Sequence, residues 1–495
     1  MSAGWPALLA GCFWLLVVEV AVAAVNYLRI KAQVDVGHMA VLGAGHAVGV
    51  IVLLGLARYS GWRRRLASLA RPFESARGLA LLLLVGAALR LVWIVAVPTP
   101  TYSDGAVYDL LARRLLETGV YDTGESRAYW PPGYPFWLAG VYAVFGASTL
   151  VAKIAGLCLA GLSEALCWVW VRRYAGPRAA AVAVLLLVCW PGRTLHLDLL
   201  SYEDLVIAAT MLSLVLMPDV RHSAGGWWRW IAAGLALGVA CFARSTLALL
   251  VPAVAVWLIL QGVAWRRVLA VSVVYTLAMF AVLTPWMVRN YQVFDAFVPL
   301  TTNAGANLYH SVAPGSDGGF YAPAERAIRA AAGHRSDDEL VRNAVGLGLA
   351  FETIRDDPGR AVYRTLVQKP ALYLGSHNVV ASLEAYRSIW PEAPNLARAV
   401  KAGGLLACNA YYVVLMLCPL LLVRRVTTRL RQQPAAALCL MIFLSGFVVH
   451  SVFQAQARYH LVYLPYWAMC LAMLWAGVQA SSAAVASPAG HCSGR

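Results

Sequence analysis

The chain has 495 residues, of which 61% are hydrophobic and only 13% charged. Soluble domains carry about 25% charged residues, so the composition excludes a soluble enzyme and makes lipid the expected solvent. The excess of 40 Lys and Arg over 24 Asp and Glu, +16 in formal charge, then reads as basic cytoplasmic loops and not as a nucleic-acid surface. Most cysteines fall within apolar runs and lack the close Cys/His spacing of a zinc site, which implies neither a disulfide framework nor a structural metal.

A bilayer core needs about 20 apolar residues per helix, and on that ruler the sequence predicts an all-α polytopic membrane protein with about twelve spans. In chain order they cover 6–25, 39–57, 78–97, 150–171, 178–191, 199–217, 229–243, 246–262, 267–286, 402–423, 434–453 and 460–478. No Lys or Arg precedes the first, and its apolar run is longer than that of a signal peptide, so it is read as a span. Arginines gather in alternate loops: Arg58, Arg63, Arg64, Arg65, Arg71 and Arg77; Arg172, Arg173 and Arg178; Arg221 and Arg229; Arg266 and Arg267; Arg424, Arg425, Arg429 and Arg431. The positive-inside bias therefore puts both termini in the cytosol of a cell-membrane protein. It leaves no room for a full span at 134–145, which is read as an interfacial or re-entrant helix.

Two long loops remain on the non-cytoplasmic side, near 98–149 and 286–401. Loops of this length are usually functional or disordered, and these carry helix signals. Ser336 and Glu339 have capping-box spacing, Asp357-Pro358 opens a further helix, and 371–390 reads as an amphipathic surface segment. Three regions follow: residues 1–77 with two spans and a basic loop, 78–480 as a catalytic membrane domain, and 481–495 as a disordered tail.

The first long loop places Asp104 six residues past Pro98, with Ser103 as candidate N-cap and Asp104, Tyr108 and Leu111 on one helical face. A carboxylate there suits a general base, or simply offsets a helix dipole. The YWPPGYP run around Tyr134 makes a stiff aromatic turn, either a membrane belt or the wall of a lipid groove. Arg289, Arg244 and Arg458 are cations at the outer ends of spans, suited to a phosphate or to snorkelling. Asn303 and Asn307 offer amides to a sugar or form turns without further meaning, Tyr459 adjoins Arg458, and Glu203 and Asp204 add acids at similar depth. Asp104, Glu203 and Asp204 leave a divalent metal possible without fixing one.

Taken in order, these segments resemble the GT-C polytopic glycosyltransferases, in the branch of the protein O-mannosyltransferases and the lipid A aminoarabinose transferase. The residues that carry the resemblance are DGAVY at 104–108, PPGYP at 131–135, SYED around Glu203, CFARST around Arg244, PWMVRNY at 285–291, TTNAGANLY at 301–309, DDPGRAVYRTLVQK at 356–369 and ARYHLVYLP at 457–465. The resemblance implies a GT-C fold and transfer of a sugar from a polyprenyl-phosphate donor to a glycan, lipid or protein acceptor on the non-cytoplasmic face. By position it makes Asp104 the catalytic acid residue and Arg289 and Arg458 donor-phosphate contacts. Two departures stand out: Gly105 replaces the second acid of the pair that opens this loop in many relatives, and Trp130 stands where some have lysine. The expected mechanism is inverting, with Asp104 as base and a second carboxylate that is either supplied by Glu203 or not used, Glu203 then being a simple helix-end acid. The rival reading is a multi-span transporter or lipid flippase, against which the acids at span ends and the asymmetric long loops argue.

Overall fold

The computed structural model describes residues 5–31, 36–59, 61–218, 226–422 and 426–486, and among them no strand occurs. Seven helices are long and apolar enough to cross a membrane: Trp5–Lys31, Val36–Arg58, Ala76–Ala96, Thr149–Val188, Trp265–Phe294, Pro394–Leu421 and Pro434–Val452. Pro191–Leu199 and Glu203–Leu216 form a pair bent by 117°, an eighth if counted as one span. The chain is thus an all-helical integral membrane protein. The twelve expected spans all fall on helix, but with different boundaries. Those at 150–171 and 178–191 belong to one 40-residue helix broken at Gly176 (φ +84°) ahead of Pro177, and three others are shorter apolar helices, Trp227–Ala243, Ser245–Leu260 and Leu464–Ala476. The last helix runs to Ala486, into the stretch expected to be disordered; 487–495, like Arg221, Arg424 and Arg425, lies outside the described residues.

Small residues set the closest helix contacts, because two apolar helices in lipid gain most where their backbones approach. At Gly49 an added Cβ would lie 2.8 Å from the Ala410 carbonyl oxygen, and Gly45 abuts Leu406 and Asn409 in the same way. Gly234 and Gly238 seat Trp227–Ala243 on Tyr275 and Met279 of the Trp265–Phe294 helix. The first helix is part of this core: Phe13 is fully buried and stacks on Trp467 at 5.0 Å.

The two long loops fold together. The Asp338 side chain, not that of Ser336, caps Glu339–Asp356 by accepting from Leu340 and Val341 N–H. Glu339 is consequently free of the expected capping box and bridges the loops, accepting from Arg127 N–H at 3.0 Å, Ala128 N–H at 3.4 Å and the Thr302 hydroxyl at 3.0 Å. Asp357 does cap Pro358–Tyr363 through Arg360 N–H. The amphipathic surface segment expected at 371–390 is instead interior at its start, where Ala371, Tyr373, Leu374, Ser376 and His377 are buried.

Inside the bundle Arg90 grips Glu164 with two hydrogen bonds of 2.6 and 3.1 Å, and Arg193 joins Glu164 at 3.4 Å and Asp204 at 2.7 Å. Two cations and two acids cancel there. Removing one partner of such a buried set leaves an uncompensated charge, at a cost of about 3–5 kcal/mol. Arg90→Leu should therefore lower the melting temperature in detergent clearly, and Arg90→Leu/Glu164→Leu should recover part of the loss; an unchanged melting temperature in the single variant would remove this network from the stability of the fold.

Candidate active site

Asp104 opens the helix Asp104–Thr118, and its placement is set by the residues on either side. Ser103 precedes it at φ +53°, a conformation that costs a non-glycine residue of order 1–3 kcal/mol, and its side chain makes no capping bond. Gly105 follows, and a Cβ there would lie 2.5 Å from the Leu199 and 2.9 Å from the Leu200 carbonyl oxygens. The first turn is thus pressed against the turn that leads into Glu203, which explains physically why position 105 carries no second acid.

Across from Asp104 stands Arg458, whose Nη2 donates to Asp104 Oδ2 at 2.5 Å. Oδ1 has no protein hydrogen-bond partner among the described residues. Burial opposes the charge of Arg458, but Tyr459, Asp104, Tyr202 and Glu203 around it hold its guanidinium well above the usual range. Both side chains line a cavity of about 370 Å³, together with Tyr108, Tyr129, Trp130, Arg244, Asn307 and Tyr459; Asn303 lines it as well.

Arg244 is sandwiched between the Tyr202 and Tyr459 rings at 5.3 and 5.0 Å. It donates to the Tyr202 hydroxyl, to His450 Nε2 at 2.6 Å and to the Thr246 hydroxyl at 3.2 Å. Asn303 spends its amide N–H on the Tyr129 carbonyl at 2.8 Å and accepts from Thr301, so it fastens the two loops. Asn307 lines the cavity with no side-chain partner among the described residues and is the freer amide for a ligand.

Three expected residues, Tyr134, Arg289 and Glu203, do not line this cavity. Tyr134 is buried behind Tyr108, edge-on at 5.4 Å. Arg289 donates to the Arg127 carbonyl at 2.9 Å and the Tyr121 carbonyl at 3.0 Å while lying 4.6 Å from the Trp286 ring, so its donors pin the first loop to the end of the Trp265–Phe294 helix. Glu203 lies behind Asp104, 3.3 Å from His196 Nε2, in a second cavity of about 130 Å³ that Asp104 and Arg458 also line. Asp204 points away into the ion pair with Arg193. Among the described residues no group of three or more His, Cys, Asp or Glu is placed to hold a metal.

Residues 130–288, about a third of the chain, match the family described as dolichyl-phosphate-mannose-protein mannosyltransferase. The chain is similar to GT-C membrane glycosyltransferases. Asp104 and Arg458 fall outside the matched stretch, whereas Trp130, Glu203 and Arg244 fall within it. Among solved structures, ArnT from Cupriavidus metallidurans bound to undecaprenyl phosphate aligns at 17% identity over 83% of this chain and 80% of that chain, with TM-score 0.40. The archaeal oligosaccharyltransferase AglB from Archaeoglobus fulgidus, in complex with an inhibitory peptide and a dolichol-phosphate, aligns at 14% identity over 83% of this chain and 52% of that chain, with TM-score 0.43. The chain thus spans about half the length of AglB. No curated protein matches the sequence.

Several cavity residues were not singled out from sequence: His450, Thr246, Phe320, Gln454 and Gln456. The Gln-Ala-Gln spacing just ahead of Arg458 was the available signal for the last two. Also missed was a chain of buried imidazoles that fixes the Arg458 turn. The Trp190 indole N–H donates to His377 Nε2 at 2.9 Å, so His377 carries its proton on Nδ1 and donates to His460 Nε2 at 2.6 Å. His460 Nδ1 in turn donates to the Tyr373 carbonyl at 2.6 Å. This one-way order requires both histidines neutral. Burial holds His377 well below the usual imidazole value of 6.5 and pushes His460 down to about 4. The unfolded chain therefore takes up protons first as pH falls below 6.5, and each histidine costs about 1.4 kcal/mol of stability per pH unit until its folded value is reached. The melting temperature should drop between about pH 7 and pH 5, less steeply in a His460→Gln variant; equal slopes would show that this histidine is not held neutral.

Proposed function

We propose that this protein is an inverting glycosyltransferase that moves a sugar from a polyprenyl-phosphate donor to an acceptor on the non-cytoplasmic face of the cell membrane, with both termini in the cytosol. The observation that carries the reading is the convergence of Asp104, Arg458 and Arg244 on one cavity walled by the aromatic YWPP turn. The donor class is supported by the match of 130–288 to dolichyl-phosphate-mannose-protein mannosyltransferases. The side of the membrane is supported by the arginine-rich alternate loops of the sequence.

In this mechanism the acceptor hydroxyl or amine gives its proton to the free oxygen of Asp104. Its lone pair attacks the anomeric carbon, and the bond from that carbon to the phosphate oxygen breaks. The departing polyprenyl phosphate gains negative charge, which Arg458 and Arg244 are positioned to meet in a cavity partly shielded from water. Glu203 has the supporting role of balancing Arg458 from the smaller cavity, and Asn307 hydrogen-bonds the sugar. Arg289 and Tyr134 act on the site through the loop and ring they hold. The transporter reading has less support, because the deep ion pairs of Arg90, Glu164, Arg193 and Asp204 close on one another and line neither cavity at Asp104.

Asp104→Asn keeps the size of the side chain and removes the base, so sugar transfer from purified donor lipid should fall by roughly 10²- to 10⁴-fold. Near wild-type transfer in a folded Asp104→Asn protein would end the assignment. Arg458→Ala should raise the donor concentration needed for half-maximal rate, and an unchanged donor dependence would remove its phosphate role. Mass spectrometry of lipid-linked sugars and envelope glycans in a deletion strain should show a missing modification and accumulated donor.

A further inference from the structure

A second cleft, of about 530 Å³, adjoins the catalytic cavity and shares Phe320 with it. Its walls come from the end of the first helix, with Asn26 and Arg29, from the loop with Ser316, Asp317 and Phe320, and from the segment with Arg360, Tyr363 and Gln368. Among the described residues Asp317 is the only carboxylate lining it, and it is already ion-paired with Lys31. Arg29 and Arg360 have no carboxylate partner among the described residues, and Arg364 beside them is buried, donating to the Val312 and Ala313 carbonyls. Among the described residues the two lining guanidiniums, Arg29 and Arg360, are therefore left without an ion-pair partner, with Asp357 at the start of the Arg360 helix as the nearest further acid in the sequence. Val362, Tyr363 and Leu366 next to Arg360 are more than half exposed, at 57%, 52% and 65%, an apolar flank suited to a lipid tail.

The loop between the two spaces is tied to both. Lys31 holds Asp317 from the first helix, while the Gly318 carbonyl accepts from Ala455 N–H at 3.1 Å, between the cavity residues Gln454 and Gln456. Phe320 itself is 61% exposed, packs near His310 at 4.7 Å and forms the partition.

We propose that this cleft binds the oxyanion headgroup, in the first place a phosphate, of a membrane-resident acceptor, so that the first helix supplies part of the acceptor site and the acceptor nucleophile reaches Asp104 past Phe320. The proposal rests on the glycosyltransferase reading and deepens it by naming the acceptor class. Two guanidiniums contributed by separate segments suit an oxyanion, since each offers paired N–H donors. The exposed apolar flank favours a lipid headgroup over free phosphate.

The test uses the purified full chain in detergent and native mass spectrometry with four probes: phosphatidic acid, phosphatidylcholine, inorganic phosphate and undecaprenyl phosphate. The wild type should retain phosphatidic acid over phosphatidylcholine, and an equal concentration of inorganic phosphate should not displace it. Arg29→Gln/Arg360→Gln should lose roughly tenfold or more of the phosphatidic acid retention and keep undecaprenyl phosphate binding unchanged. Equal retention of phosphatidic acid by variant and wild type, or no preference over phosphatidylcholine, would overturn the proposal, as would displacement by inorganic phosphate. Failure of the wild type to retain undecaprenyl phosphate while phosphatidic acid binding persists would count against the glycosyltransferase reading and leave the cleft an anionic-lipid site. Because Arg29 and Arg360 are exposed, the variant should elute as the wild type does in size exclusion; for a misfolded protein the single substitutions Arg29→Gln and Arg360→Gln carry the same comparison.

Discussion

A carboxylate and a guanidinium 354 residues apart meet at 2.5 Å, and the arrangement of the site depends on that contact. A partly buried ion pair is a weak source of stability on its own, because desolvation offsets much of the attraction. The pair is therefore held from outside. On the Asp104 side the constraint is steric, a glycine seated on the Leu199 and Leu200 carbonyls beneath a strained Ser103. On the Arg458 side it is a hydrogen-bonded line from Trp190 through two imidazoles to the Tyr373 carbonyl, which fixes the turn one residue beyond Tyr459. Each half is held by contacts that do not involve the other charge, which lowers the entropic cost of positioning the carboxylate.

The loops above the cavity follow the same logic. Glu339, Asn303 and Arg289 each bind backbone groups of the first loop from the second loop or the adjoining helix end. These polar side chains satisfy backbone donors and acceptors that irregular chain would otherwise leave open. Asp104 Oδ1 and the Asn307 amide are among the cavity groups that this loop scaffold does not consume.

Much of this was legible in the sequence, and the limits have physical causes. Apolar run length located the spans because bilayer thickness imposes a length on them, yet it said nothing about the break at Gly176 or the 117° bend before Glu203. Asp104, Arg244 and Arg458 were legible because charge at a span end is expensive and so conspicuous. Arg289 looked the same by that test, but only tertiary contacts reveal that its donors are spent on the Tyr121 and Arg127 carbonyls. Ser336 and Glu339 had the spacing of a capping box, and the neighbouring Asp338 took the cap because its carboxylate accepts from two N–H groups. His377 and His460 gave no periodic or spacing signal, since they meet only when the bundle closes.

The central claim is that Asp104 and Arg458 act as one unit in a single cavity. A double-mutant cycle on sugar transfer, combining Asp104→Asn with Arg458→Ala, tests it most directly. Residues acting as a unit are strongly non-additive, so the double variant should be no more than a few-fold slower in kcat/KM than the slower single variant. If the two losses instead multiply in full, the groups contribute independently and the account of a shared site is contradicted.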